Sequence, residues 1–430
     1  MATIPRRPVV VSAAEEVAIN LPEHVTIGLR DLAGAVKHGL LALSVSAGLA
    51  VVGELFDDEV TQLVGPRGKH DPKRIAYRHG DEARQLTLGG RRVEVRKPRA
   101  RTKDNQELEL QSFNLFSGRD LLTTAALDRV LHGLSTRNYR YGLEPVGNLP
   151  PLATSKSAIS KRFVAGTARK MRELMSRDLS QIDLLVLYFD GIEVDEHTIV
   201  VGLGIDADGH KHPLGLVEGS TENKAVCQRL LNDLIRRGLD PELARLVIID
   251  GGKGIRGAVK ASFGKHALVH RCRVHKRRNV IDHLPQDQRA FIGHRIDRIY
   301  RENDADHAAA ELRSLADHLE TDHPGAAASL REGLEETLTI SRMRLSPSLI
   351  KTFKSTNPIE SMISTARTVA GNVKRWRGGK MIERWTAAGI LEAEKKFRRI
   401  NGCRDLQLLR IALDAHDAGL KQQEETAAAV

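Results

Sequence analysis

Two apolar runs that each stop at an Asp-Gly pair constrain this chain more than any other feature. LLVLYFDG (Leu184–Gly191) and RLVIIDGG (Arg245–Gly252) are continuous hydrophobic stretches bounded by glycine, the pattern of buried strands. Each strand therefore carries one carboxylate, Asp190 or Asp250, out of the core at its C-terminal tip. Between them, HTIVVGLGID (His197–Asp206) and KHPLGLVEG (Lys211–Gly219) read as two further strands joined by a turn at Asp208-Gly209. An amphipathic stretch over Glu222–Arg237 predicts a helix leading into the second Asp strand.

A three-strand meander, a helix and another strand form the opening of a ribonuclease-H-like α/β core, in which the two Asp would sit side by side. From Gln286 to about Arg342 every pattern is helical and strand signals are lacking, which predicts an all-α insertion in that core. STNPIESMISTARTVAGNVKRW (Ser355–Trp376) then opens a new helix, and a last amphipathic helix is expected over Ile382–Arg399. The polar, Ala-rich tail from Gly419 is expected to fray. The order read from the sequence is an N-terminal region with a basic hairpin (1–115), a helix-turn-helix-like module (116–180), a first part of the core (181–285), the insertion (286–350), the rest of the core (351–402) and a tail (403–430).

Charge narrows the partner. The formal net charge is +11, with 66 Lys and Arg against 55 Asp and Glu, which favours a polyanion. Residues Arg67–Lys103 hold 13 Lys or Arg against 4 Asp or Glu, a local charge of +9. Within them ARQLTLGGRRVEVRKPR (Ala83–Arg99) alternates around Gly-Gly and predicts a β-hairpin, with Arg91, Arg92, Arg96, Lys97 and Arg99 as candidate DNA contacts. Aromatic residues make up only 4%, so duplex DNA held by its phosphates fits better than base stacking. Three distant cysteines imply no disulfide framework and suit a reducing cytosol, with the protein associated with the nucleoid. The most apolar segment, Gly39–Gly53, has 15 residues; spanning a bilayer takes about 18 or more. It reads as part of a buried helix over Ile27–Phe56.

Three helices are expected over 119–176: Arg119–His132, one starting in LSTRNY (Leu134–Tyr139), and one opened by SKSAISKRF (Ser155–Phe163) after a Pro-rich loop. In the third, Ile159, Phe163, Met171 and Leu174 share a face, while Lys156, Lys161 and Arg162 lie largely elsewhere and are candidate groove contacts.

Asp190, Asp250 and Glu360 form the candidate constellation. Three hard oxygen ligands on a sheet edge and a neighbouring helix are what two Mg²⁺ ions, with Mn²⁺ as substitute, need to clamp an in-line phosphoryl displacement. Asp-Gly after a strand is also ordinary turn chemistry. Glu360 could simply cap its helix, with Asn357 as N-cap, Pro358 at the first helical position and Glu360 at the third. GGKG (Gly251–Gly254) lacks the spacing of a phosphate loop, and no serine-hydrolase elbow occurs.

Taken in order, the Asp-Gly at 190, IIDGGKG (Ile248–Gly254), HRCRVH (His270–His275) and STNPIES (Ser355–Ser361) resemble bacterial mutator-type insertion-sequence transposases. The spacings are 60 residues from Asp190 to Asp250 and 110 from Asp250 to Glu360. The resemblance spans about 60 to 400 and includes LGGRRVEVRKPRAR (Leu88–Arg101) and SKSAISKRF. It implies that Asp190, Asp250 and Glu360 are the acidic metal-binding triad, and that Cys272 and His275 form a CxxH pair beside the active site. Two such ligands are too few for a zinc site. Arg271, Arg273, Lys276, Arg277 and Arg278 around that pair, and Lys374, Arg375 and Arg377 beyond the Glu, are expected to follow DNA backbone. The stretch immediately after Glu360 departs from the family's pattern by lacking an Asn expected shortly after the Glu. The function implied is a DNA transposase that binds the terminal inverted repeats of an insertion sequence, cleaves, and joins the 3′-OH to target DNA. It would work as a dimer or larger assembly on DNA, away from membranes. A catalytically inactive repeat-binding protein and a structure-selective nuclease of the same fold are the alternatives.

Overall fold

The computed structural model describes residues 40–69, 74–88, 91–117, 121–143, 154–219, 221, 223–371, 373 and 375–428. The chain divides into two compact units, Met1–Ala126 with Thr136–Ile159, and Leu127–Ser135 with Ser160–Val430.

In the first unit α1 (Leu40–Val64) carries a buried stripe of Val52, Phe56, Val60 and Val64 at i, i+4 spacing. The stripe continues past Phe56, and so does the helix; the expected start at Ile27 lies outside the described residues. The stripe packs on the hairpin of β1 (Ala76–Leu88) and β2 (Arg91–Thr102), through Leu86, Ala76 and Ala100. Its antiparallel register runs from Leu88 opposite Arg91 to Ala76 opposite Thr102, so the hairpin is longer than Ala83–Arg99. The Gly89-Gly90 turn lies outside the described residues. Short β3 (Glu107–Leu108) and α2 (Gln111–Ser117) complete this layer.

Next comes α3 (Leu121–Leu131), ended by Gly133 at φ 101°. The helix expected over Leu134–Tyr139 does not form. Ser135, Thr136 and Asn138 favour turns over helix interiors, and only a 3₁₀ turn follows, at Tyr139–Gly142. Helix α4 (Lys156–Met175) starts where expected, with Ser155 Oγ accepting from Ala158 N at 3.3 Å. From Ser160 it belongs to the second unit, where Phe163 packs on Trp385 at 4.5 Å between ring centroids.

The second unit is built on a five-stranded mixed sheet in the order β6-β5-β4-β7-β8. β4 (Leu184–Val194), β5 (His197–Asp206) and β6 (Lys211–Gly219) are the antiparallel meander. Helix α5 (Lys224–Arg236), capped by Asn223 accepting from Val226 N, leads to β7 (Arg245–Ile249). Then α6 (Lys253–Phe263) leads to β8 (Ala267–Arg271). β7 pairs in parallel with both β4 and β8. One expectation changes here: β4 does not end at Asp190 but runs on to Val194, antiparallel to β5 with Asp190 opposite Val201. Only its parallel partner stops at Ile249.

Side-chain alternation splits the sheet into two cores. Leu187, Phe189, Val247 and Ile249 face α5 and α6. Val186, Tyr188, Ile192, Leu246 and Ile248 face the opposite layer, which holds Ile359, Met362 and Ile363. Between β8 and that layer stand α7 (Arg273–Asp282) and then the insertion expected from Gln286: α8 (Gln286–Ile299), α9 (Ala305–Leu319), α10 (Pro324–Arg331), and the single turns α11 (Leu334–Thr337) and α12 (Thr339–Arg342). It has its own core, from Val280 to Leu338. α13 (Pro347–Phe353), α14 (Asn357–Ala370), α15 (Gly379–Glu394) and α16 (Leu406–Ala428) follow. The tail expected to fray from Gly419 instead continues α16 as helix to Ala428, with Leu420 buried and residues 421–426 exposed. Leu406, Leu409, Leu413 and Leu420 are buried, and Asp417 accepts from Ala244 N at 2.8 Å. No helix among the described residues is long and apolar enough to cross a membrane.

α14 and α15 approach closely because Gly389 has no side chain. A Cβ there would lie 2.8 Å from the Cα of Ala366. Gly389→Val should therefore cost about 2 kcal/mol of stability through overpacking, read as a lower urea midpoint; a midpoint equal to the parent's would refute this account of the contact.

Candidate active site

The parallel pairing of β4 with β7 sets Phe189 opposite Ile249, so the next residue on each is an aspartate. Adjacent strands lie about 4.8 Å apart. Alternation gives Asp190 the face of Tyr188 and Ile192, and continues from Leu246 and Ile248 to Asp250. Each carboxylate is anchored locally: Asp190 Oδ1 accepts from Gly191 N, and Asp250 Oδ1 from Gly252 N, both at 2.9 Å. Gly251 takes φ 114°, and a Cβ on it would overlap the Arg271 guanidinium, so the turn after Asp250 requires glycine. Both aspartates line a cavity of about 550 Å³, together with Glu193, Asp195, Glu196, His197 and Arg367.

Helix α14 brings Glu360 to the same corner. Thr356, not Asn357, occupies the N-cap position, so Glu360 is the fourth helical residue rather than the third. It accepts from Thr356 Oγ1 at 2.7 Å and stands 3.7 Å from His275 Nε2. His275 Nδ1 is 3.3 Å from the same threonine oxygen. One hydroxyl has one proton, so Thr356 donates to Glu360 and accepts from the His275 Nδ1–H. Cys272, fully buried, caps α7, and its Sγ accepts from His275 N at 3.5 Å. The hydrogen bond with Cys272 raises the His275 pKa, helped by Glu360 and Asp250 and opposed by burial. Burial, the Asp250 charge and, more weakly, Glu360 push Asp190 up to about 6, against the bond from Gly191 and the pull of His275.

Among the described residues, no three His, Cys, Asp or Glu side chains stand close enough to hold a metal ion. Glu360 is drawn toward Thr356 and His275. The donor chemistry nonetheless suits a hard divalent cation, because burial and the neighbouring Asp250 raise the cost of ionising Asp190, a cost a bound cation would offset.

Two residues at this site escaped the sequence reading. Thr356 lies one turn before Glu360, and Arg367 lies seven residues after it, on the same helical face. The i−4 and i+7 spacings were the available signals.

The cations expected to follow DNA fare unequally. Arg271, Arg273 and Lys276 are only 4%, 5% and 1% exposed, which removes them from the surface. Arg273 donates to the carbonyls of Thr337 at 2.9 Å and Tyr300 at 3.0 Å, and to Ser341 Oγ at 2.6 Å. Lys276 Nζ donates to the carbonyls of Ser329, at 2.6 Å, and Glu332. Arg271 reaches the Glu332 carbonyl at 3.1 Å. These are carbonyls at the ends of the insertion's helices, where a cation satisfies unpaired acceptors and the helix dipole. Burial draws Lys276 down to about 8. Arg277 pairs with Asp297 at 3.1 Å, and Arg278 is exposed. In the hairpin, Lys97 pairs with Glu82 at 3.3 Å and Arg99 with Glu107 at 2.6 Å, while Arg92 and Arg96 are exposed. Lys156, Lys161, Arg375 and Arg377 are exposed and Arg162 is half-buried; Lys374 and the Arg91 side chain lie outside what is described.

Comparison with known proteins places these features in a family. Residues 33–399 match the family model described as Transposase, Mutator family. The chain is 28% identical over 316 residues to the transposase for insertion sequence element ISRM5 of Rhizobium meliloti, covering 73% of this chain and 78% of that one. It is 27% identical over 301 residues to the transposase for insertion sequence element IS6120 of Mycolicibacterium smegmatis, covering 68% and 90%.

Two outcomes follow. Lys276→Ala strands two buried carbonyls and should cost about 3 kcal/mol of stability, while leaving the slope of DNA affinity against salt unchanged; a shallower slope would return Lys276 to the DNA surface. Between about pH 4 and 6 the folded protein keeps a proton on Asp190 that the unfolded chain, near its ordinary value of 3.8, has released. Stability contributed by this group therefore falls as pH rises through that window. In EDTA, Asp190→Asn should be more stable than wild type by about 2 kcal/mol at pH 8 and nearly equal at pH 4, measured by urea unfolding; an equal difference at both pH values would contradict the assignment.

Proposed function

The chain belongs to the Mutator family of transposases, and from that premise we propose that it is an acidic-triad DNA transposase with a ribonuclease-H-like core. The observation that carries the reading is the adjacency of Asp190 and Asp250 at the end of a parallel strand pair, with Glu360 on the helix that packs over the same sheet face. The order of the sheet, a three-strand antiparallel meander continued by two parallel strands, supports the ribonuclease-H-like assignment.

In this reading Asp190, Asp250 and Glu360 would hold Mg²⁺ or Mn²⁺, which supplies activation of the attacking oxygen and neutralisation of charge on the phosphate. The remaining work falls to side chains of this chain. His275, its pKa raised, holds Glu360 from one side while Thr356 donates to it from the other. Arg367 offers its guanidinium to the non-bridging phosphate oxygens in the same cavity. Water attacks phosphorus at the element end, the P–O bond to the 3′-oxygen breaks, and a 3′-OH is left. That hydroxyl then attacks a phosphorus in target DNA at the same site, displacing another 3′-oxygen. Two ends must be joined together, so the assembly on terminal repeats is at least a dimer.

The test is strand cleavage and joining on a labelled duplex carrying the native element end, in Mg²⁺ against EDTA. Wild type should nick and join, whereas Asp190→Asn, Asp250→Asn and Glu360→Gln should bind the end and lose at least a hundredfold in rate, about the loss expected for removing one member of a preorganised charge-stabilising set. Cutting without joining would point to a nuclease, and tight binding with no cutting in Mg²⁺ or Mn²⁺ to an inactive repeat-binding protein.

A further inference from the structure

A second cavity of the second unit, about 920 Å³, lies apart from the acidic one. It lies between α7, the end of α8 and α13. On α7, Val274, Arg277, Arg278 and Ile281 recur at helical spacing and line it, while Lys276 and Val280 on the other side are buried in the insertion. Ile281, Leu345, Pro347 and Ile350 give it an apolar floor, and Val274 is 42% exposed beside them. Arg278, Arg301, Arg344, Lys351 and Lys354 stand exposed around that floor.

These five cations share one groove without counter-charge. Elsewhere on the insertion, arginines pair with carboxylates: Arg298 with Glu311, Arg313 with Glu335, Arg331 with Asp317 and Glu320, and Arg342 with Glu335. Among the described residues, none of the five makes an ion pair. The two carboxylates lining the groove are Asp297, taken by Arg277, and Glu302. Unpaired cations around a concave, low-dielectric floor focus a positive field on its contents. Arg344 adds to the case: it holds φ 51° without being glycine, a conformation that side chains of its size seldom adopt.

We propose that this groove binds a single strand of DNA, with phosphates on the cationic rim and sugars and base faces on the aliphatic floor. An unpaired strand presents both surfaces, whereas a duplex covers its bases and offers phosphates alone. The inference rests on the DNA-processing reading above. The helix that lines the groove through Arg278 also carries His275, which stands 3.7 Å from Glu360. Arg273 N also bonds the Lys354 carbonyl at 2.9 Å, tying the groove wall to the segment just before Thr356.

The experiment measures anisotropy of a labelled mixed-sequence oligodeoxynucleotide, single-stranded and annealed, against the full chain across a salt series. The double variant Arg344→Ala with Lys351→Ala should weaken single-strand binding at least tenfold at about 0.1 M salt and flatten the salt slope by about 1.4. Duplex binding should stay within about twofold of wild type, as a site of single-strand stacking predicts. The exchange Arg344→Lys with Lys351→Arg should bind like wild type, and all proteins should melt alike. Unchanged single-strand binding, equal loss for duplex, or no single-strand binding by wild type would overturn the proposal. Cleavage of the element-end duplex by wild type, run in parallel, separates the readings. If it cuts while the groove variant binds normally, only the groove assignment falls; if it neither binds nor cuts, the transposase reading falls as well.

Discussion

The register of two parallel strands is the constraint on which the rest of this site depends. Because Phe189 faces Ile249 across β4 and β7, Asp190 and Asp250 are neighbours at the point where β7 ends. A slip of one residue would turn one carboxylate toward the opposite core, against Leu187 and Phe189 or Val247 and Ile249. The cost of placing the charges together is visible in Asp190, raised to about 6 by burial and by Asp250. A stable fold alone gains nothing from that arrangement, which is why it points to chemistry.

A second set of interactions decides whether the third carboxylate can reach the first two. One hundred and ten residues separate Asp250 from Glu360, and most of them are the helical insertion. Its helix ends meet at one segment, where Arg271, Arg273 and Lys276 collect carbonyls from Tyr300, Ser329, Glu332 and Thr337. The same segment holds Cys272 and His275, which face Thr356 and Glu360. Docking of the insertion and presentation of the glutamate thus share one short stretch of backbone. On this physical ground the HRCRVH motif is a structural junction first, with His275 as the part of it that reaches the site.

Several elements were legible because their signal is local. The apolar runs of β4 and β7, the turn at Asp208-Gly209, the hairpin around Gly89-Gly90 and the all-α insertion follow from period and turn chemistry. Where local signals misled, a tertiary contact had intervened. The tail after Gly419 looked polar enough to fray, yet it continues a helix whose Leu406, Leu409, Leu413 and Leu420 are covered and whose Asp417 is bonded to the loop before β7. The strand through Asp190 looked finished at its Asp-Gly, but β5 offered partners as far as Val194.

Sequence by itself determined the three carboxylates, their order, and the kind of strand or helix that carries each, because burial periodicity and glycine punctuation are properties of a few consecutive residues. It also gave the excess of positive charge. Only the tertiary structure decided which positive charges are usable, since burial is set by residues far away in the chain. Arg271, Arg273 and Lys276 look like any basic helix until the ends of the insertion's helices close over them, while Arg301 and Lys351, 50 residues apart in sequence, line one groove. It decided too that Glu360 and Thr356 rest against His275, a contact between segments about 80 residues apart that no local pattern encodes.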